Sequence, residues 1–219
     1  DEESIVEEAK TLANGGVKEL VLIAQDVSSY GIDIYGEYRL AHLLDLLCEI
    51  DGIEWIRLLY CYPDKITDEL IDTMASQPKV LHYIDLPLQH ADDKILKAMN
   101  RHSTAEETRE VIRKLRERMP DIAIRTTFIV GEGDDEFETL AEFINEEEFE
   151  RLGCFEYSPQ EGTPAAKMEN QVDDDVKSRR AEVIMQDQYE IMNEKNNNMI
   201  GKTLRVLTES YDDYTDRYS

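Results

Sequence analysis

Five short polar stretches in this chain have residue types that could bind or transform a ligand: Gln25-Asp26, Tyr62-Pro63-Asp64, Gln89-His90, Arg125-Thr126-Thr127 running on to Gly131, and Tyr157-Ser158. Each follows or interrupts an apolar run. Arg125 interrupts such a run, where an unpaired guanidinium is costly, so it requires a carboxylate from the protein or from a ligand. Asp26 and Asp64 are candidate partners, or caps of the loops that follow them. His90 closes "DLPLQH", as a structural hydrogen-bonder or as a catalyst, and the sequence leaves both open. The stretch "TTFIVGEGDDEFETL" puts a glycine-x-glycine turn between a strand and a helix, where backbone often closes on phosphate. Here Glu132, Asp134 and Asp135 crowd the turn. It lacks the third glycine of a dinucleotide fingerprint and the lysine of a P-loop. Carboxylates favouring a helix N-terminus suit it better than a phosphate cradle.

The elements that must position these residues are alternating strands and helices. Apolar runs at 19–25, 55–61, 80–88, 122–130 and 153–158 predict five buried strands. Leu40, Leu43, Leu44 and Leu47 lie on one helical face, and so do Phe137, Leu140, Ala141 and Ile144. Ser103 and Glu106 have capping-box spacing ahead of a helix that turns Val111, Ile112 and Leu115 inward. A long polar helix is predicted over 172–196, with Val183, Ile184, Ile191 and Met192 as its apolar positions. "GKTLRVLTES" then reads as the first strand of something new. Alternation of this kind predicts parallel strands joined by right-handed crossovers, an α/β barrel or open part-barrel with outer helices. Ligands of such folds bind at the carboxyl ends of strands, where the five polar stretches fall. The chain starts with the helix "ESIVEEAKTLA", so a first strand is expected to be missing. Residues 1–200 read as the barrel core and 201–219 as the start of a second, β-rich domain.

The 219 residues carry a formal charge of −25, which argues against direct nucleic-acid binding by this domain and suits either a solvated acidic surface or a basic protein partner. There is no apolar run long enough to span a bilayer and no signal-peptide pattern, so the expected location is cytoplasmic, away from membranes. Cys48, Cys61 and Cys154 are far apart, form no CxxC or CxxxCxxC group, and read as small buried hydrophobes; no metal ligands are assigned.

Taken in order, "VLIAQDVSSYGIDIYG", "WIRLLYCYPDKITDELI", "YIDLPLQHADDKILKAMNR", "IRTTFIVG" and "LGCFEYSPQEGTPAA" resemble the radical S-adenosylmethionine (SAM) methylthiotransferases. The likeness runs from about Glu3 to Thr208. Gln25-Asp26, Tyr62-Pro63-Asp64 and Gln89-His90 resemble the branch that modifies a ribosomal protein more than the branch that modifies tRNA. The resemblance implies attachment of a methylthio group to an aspartate β-carbon of a basic small-subunit ribosomal protein. It also implies SAM, two [4Fe–4S] clusters, an electron donor, and a radical generated by reductive cleavage of SAM. By position, Gln25, Asp26, Gln89, His90, Arg125, Thr127, Gly131, Tyr157 and Ser158 would line the SAM cavity. The resemblance also implies a CxxxCxxC loop and an N-terminal cluster domain that this sequence lacks, and a TRAM domain that it only begins. "VGEGDDEF" stands where the family has "VGFPGET" before an acidic helix, about three residues shorter.

Overall fold

A computed structural model describes residues 1–168, 171–208, 210–212 and 217–218. The chain opens with α1 (Glu2–Asn14), capped by Asp1, and runs on to β1 (Glu19–Leu22). A short α2 (Ile32–Tyr35) and α3 (Leu40–Cys48) lead to β2 (Trp55–Leu58). Helix α4 (Asp68–Ser76) precedes β3 (Val80–Gln89), and α5 (Asp93–Ala98) and α6 (Ala105–Arg118) precede β4 (Ala123–Val130). Then come α7 (Asp134–Glu147), β5 (Arg151–Glu156) and the long α8 (Asp174–Asn197).

The five strands form one sheet in the order β1-β2-β3-β4-β5, every pair parallel. Sequential order with right-handed crossovers sends each connecting helix to the same side, so the sheet curls into an open part-barrel. All five predicted strands are present, β5 beginning two residues earlier than the apolar run suggested. No helix among the described residues is long and apolar enough to cross a membrane.

The core lies between the sheet and its helices. Leu40, Leu43, Leu44 and Leu47 of α3 are buried as their spacing requires. On β4, Thr126, Phe128 and Val130 face the helices and are fully buried, while Arg125 and Thr127 alternate onto the other face. Phe128 meets Phe143 and Phe149 at ring-centroid distances of 6.3 and 5.9 Å.

Several expectations need correction. The box opening α6 is Thr104 with Glu107, one residue later than predicted; the Thr104 side chain accepts from the Glu107 N–H. Within α8, Ile184 is buried but Val183 is exposed. Lys177, Arg180, Ile184 and Gln188 form its inward face, so the buried seam of this helix is largely polar. Residues 202–208 form no strand: among the described residues none pairs with them, and the pair that does form, β6 (Tyr211–Asp212) with β7 (Arg217–Tyr218), lies later. The rest of the expected second domain, at 209, 213–216 and 219, lies outside the described residues.

Truncating Phe143 to Ala removes the ring that α7 contributes to the aromatic cluster and is expected to cost about 3–5 kcal/mol in urea unfolding. A loss below about 1 kcal/mol would mean that α7 is not held to the sheet by this cluster.

Candidate functional site

Strand register decides how the candidate residues meet. Leu22, Leu58, Ile84 and Ile124 form one row across the sheet, and β1 and β2 end there. Strand β4 continues six residues further, to Val130 opposite Glu156, which is about 20 Å at the usual rise per residue. The carboxyl edge of the sheet is therefore a slope with two tiers, and the candidates divide between them.

The lower tier is built around Asp85, a side chain the sequence reading passed over. Its carboxylate is completely buried. Oδ1 accepts from Arg125 Nη1 at 2.8 Å, and Oδ2 accepts from the Tyr60 N–H at 3.1 Å. The partner of Arg125 is thus Asp85 on the adjoining strand, neither Asp26 nor Asp64. Asp26 accepts instead from the hydroxyls of Ser28 and Ser29, and Asp64 pairs with Lys65 at 2.6 Å. Tyr60 has a φ of +58° and Gln89, at the end of β3, has +75°. Left-handed backbone in bulky residues is unfavourable and persists where surroundings enforce it, commonly at functional edges. Tyr60 is held on both sides, its N–H donating to Asp85 and its carbonyl accepting from the Val27 N–H at 3.0 Å.

The face that carries Asp85 also carries charge. Tyr83 is surrounded there: burial pushes its hydroxyl pKa up and Asp85 adds to this, while Arg125, Arg57 and Arg151 oppose it. Arg57 donates to Glu19 at 2.6 Å, and Arg151 is the register partner of Arg125. The Arg125 side chain remains 46% exposed. Its planar fork therefore has capacity for a carboxylate beyond Asp85. Thr127 lies two residues along on the same face, and the Gln89 amide lies at the neighbouring strand end. Gln25 is exposed on the β1 rim beside the half-buried Asp26.

The upper tier holds His90, the Gly131 turn and Tyr157. Only Gly131, Glu132 and Gly133 separate β4 from α7, with Gly133 as N-cap and Asp134, Asp135 and Glu136 in the first helical turn. A Cβ on Gly131 would lie 2.5 Å from Tyr157 Cβ, so glycine is required for the two strand ends to touch. Glu132 folds back so that one carboxylate oxygen accepts from the Gly131 N–H. Its Oε1 lies 3.7 Å from His90 Nε2, and both atoms are buried without a hydrogen-bond partner. The Asp92 N–H donates to His90 Nδ1 at 2.9 Å, which directs the ring's Nε2 toward Glu132. The Tyr157 hydroxyl is likewise buried and unpartnered. Ser158 stands outside this cluster, exposed, 3.4 Å from Gln160 Nε2.

These groups suit a ligand with a carboxylate at the Arg125 end and further polar groups toward the turn. They do not suit an iron–sulfur cluster. Cys48, Cys61 and Cys154 are free and stand apart, and burial pushes the Cys61 and Cys154 thiols up to about 12, away from the thiolate that iron requires. Among the described residues, no group of three or more His, Cys, Asp or Glu could hold a metal ion. A concavity of about 670 Å³ with mainly apolar walls runs along the edge of β1 between α1 and α3 and reaches Asp26 at one end.

The Asp85–Arg125 pair is unequal, because Asp85 is buried and Arg125 is half exposed. Arg125→Met strands a buried charge and should cost about 3 kcal/mol or more in urea unfolding. Asp85→Asn keeps one acceptor and lets Arg125 turn to water, so it should cost about 1–2 kcal/mol. The reverse order would contradict this account of the tier.

Comparison with known proteins adds three findings. A family model described as the radical SAM superfamily matches residues 1–144. Ribosomal protein uS12 methylthiotransferase RimO of Heliobacterium modesticaldum is 53% identical over 211 residues, covering 95% of this chain and 46% of that protein. RimO of Lachnoclostridium phytofermentans is 51% identical over 210 residues, covering 94% and 48%. The chain thus spans about half the length of the curated relatives it matches. Among solved structures, the radical SAM methyltransferase TsrM from Kitasatospora setae, with cobalamin and a [4Fe–4S] cluster bound, superposes with a TM-score of 0.56 at 16% identity, over 71% of this chain and 31% of that one. Methylornithine synthase (PylB) gives 0.55 at 15%, over 85% and 53%. At such identities the likeness is one of fold, and the fold agrees with the sequence match: the chain belongs to the radical SAM superfamily.

Proposed function

We propose that this chain is the SAM-binding core of a methylthiotransferase acting on ribosomal protein uS12, and that the sloping carboxyl edge of its sheet holds SAM. The observation that carries the reading is the half-exposed Arg125 fork, fixed by a buried carboxylate on the face where the polar strand ends gather. Its support from relatives is the 53% identity to a RimO over nearly the whole chain.

In this reading Arg125 receives the carboxylate of SAM, and Asp85 holds the guanidinium so that little rotamer freedom is lost on binding. Thr127 and Gln89 supply polar contacts along the same wall. The Gly131 turn and Tyr157 border the nucleoside end, with His90 behind the turn against Glu132. Gln25 and Asp26 close the β1 side, and Ser158 lies at the outer rim. SAM, when bound, supplies a sulfonium whose one-electron reduction provides the oxidant for removing hydrogen from an unactivated carbon. The protein's part is to fix the cofactor's ends and keep water out of the space between them.

The cysteines here form no cluster ligand set, so the reading assigns both [4Fe–4S] clusters and the entry of electrons to parts of the protein beyond this stretch. The groove along β1 suits one more parallel strand on that free edge. The net charge of −25 suits a basic ribosomal protein and disfavours RNA as the partner of this domain.

The test uses the whole protein, reconstituted anaerobically with iron and sulfide and supplied with SAM and a reductant. Incubated with uS12 and tRNA together, it should add one methylthio group to uS12, read by peptide mass, and leave tRNA unmodified. The 219-residue chain alone, treated identically, should release no 5′-deoxyadenosine. Methylthiolated tRNA with unmodified uS12 would overturn the substrate assignment, and product from the chain alone would overturn the assignment of the clusters.

A further inference from the structure

The β4–α7 turn is held by a residue far away in sequence. Arg180, on α8, is 8% exposed at its side chain. Its Nη1 donates to the Glu132 carbonyl and its Nη2 to the Asp134 carboxylate, so one guanidinium spans the turn from its middle to the first residue of α7. The guanidinium also lies over the Phe137 ring, 5.1 Å from the centroid, one helical turn further on. Lys177, one turn earlier on α8, is equally buried and faces the Tyr157 ring at 5.8 Å. Below them Ile184 fills the core, and Gln188 donates to the Phe149 carbonyl at 3.0 Å.

A buried guanidinium is a costly way to fill space, and Ile184 shows that this helix also seats an apolar side chain against the sheet. The placement of Arg180 makes sense if the turn needs an external brace. The turn is glycine-rich, and glycine backbone is loose unless something fixes it. Its carboxylates Glu132, Asp134 and Asp135 repel one another. Arg180 offsets both, by neutralising charge at Asp134 and by fixing the Glu132 carbonyl.

We propose that Arg180 is a positioning residue for SAM: it holds the Gly131–Gly133 turn in the conformation that meets the cofactor, so that α8 controls cofactor affinity without touching the cofactor. This rests on the SAM reading of the carboxyl edge given above. The brace has an exposed half and a buried half. The Asp134 side chain is 93% exposed, so its carboxylate can be replaced with little desolvation cost of its own, whereas the Glu132 carbonyl has Arg180 as its partner among the described residues.

The test compares wild type, Arg180→Met, Arg180→Lys and Asp134→Asn in the whole protein by two readouts: amide hydrogen exchange over residues 131–137, and SAM binding by calorimetry without reductant. Arg180→Met should speed exchange in this segment and weaken SAM binding, each by about tenfold or more, as loss of charge-assisted hydrogen bonds implies. Arg180→Lys should recover part of both, and Asp134→Asn should give smaller changes of the same sign. If Arg180→Met does not fold, the Lys and Asn variants decide alone, since lysine loses the two-pronged fork and asparagine keeps the acceptor without its charge. Unchanged exchange in folded variants overturns the brace. Faster exchange with unchanged SAM affinity shows a brace that does not serve the cofactor and overturns the proposal. Wild-type protein that binds no SAM overturns the underlying reading instead, and the exchange data still judge the brace.

Discussion

The structure of the carboxyl edge depends on one constraint: Asp85 carries a carboxylate with no access to water. An ionised group in that position is tolerated only with donors on both oxygens. One donor is Arg125 on β4 and the other is the Tyr60 backbone beyond β2, so a single side chain on β3 ties three strands together. Tyr60 takes a left-handed backbone to bring its N–H there, and Arg125 is drawn onto the open face. The geometry of this edge is therefore fixed by the need to satisfy a buried charge.

The upper tier follows different physics. There the problem is a short, acidic, glycine-rich turn, and the solution is a polar seam on a helix that packs mainly against β5. The long helix supplies Lys177 and Arg180 to groups at this edge, and Gln188 to the Phe149 carbonyl ahead of β5, where an apolar face would leave the bonded carbonyls and carboxylate unpaired. His90 and Glu132 remain a buried couple without hydrogen bonds between them, 3.7 Å apart, and they connect the end of β3 to the turn after β4.

Much of this was legible in the sequence, for identifiable reasons. The five strands and the leucine face of α3 follow from apolar periodicity, because the face that contributes to the core dominates the pattern. The acidic turn was read correctly as a strand-to-helix junction, since its carboxylates sit in the first turn of α7. The Asp85–Arg125 pair was half legible: the arginine stood out in an apolar strand, while Asp85, inside "YIDLPLQH", looked like ordinary motif. Pairing across strands needs register, which sequence does not provide. The α8 seam was missed because apolar residues were sought, and the signal was a polar one: Lys177, Arg180, Ile184 and Gln188 recur at helical spacing. The capping box at Thr104 was missed by one residue, since Ser103 and Thr104 are both good N-caps with a glutamate three residues on.

The central claim is that SAM binds on this sloping edge and not in the apolar groove beside β1. The most direct measurement is the set of backbone amide NMR shifts on titrating SAM into isotopically labelled protein without reductant. The account predicts saturable shifts at residues 25–26, 60, 89–90, 125–133 and 157–158, running continuously from the lower tier to the upper. Shifts confined to α1, β1 and α3 around the groove would contradict it.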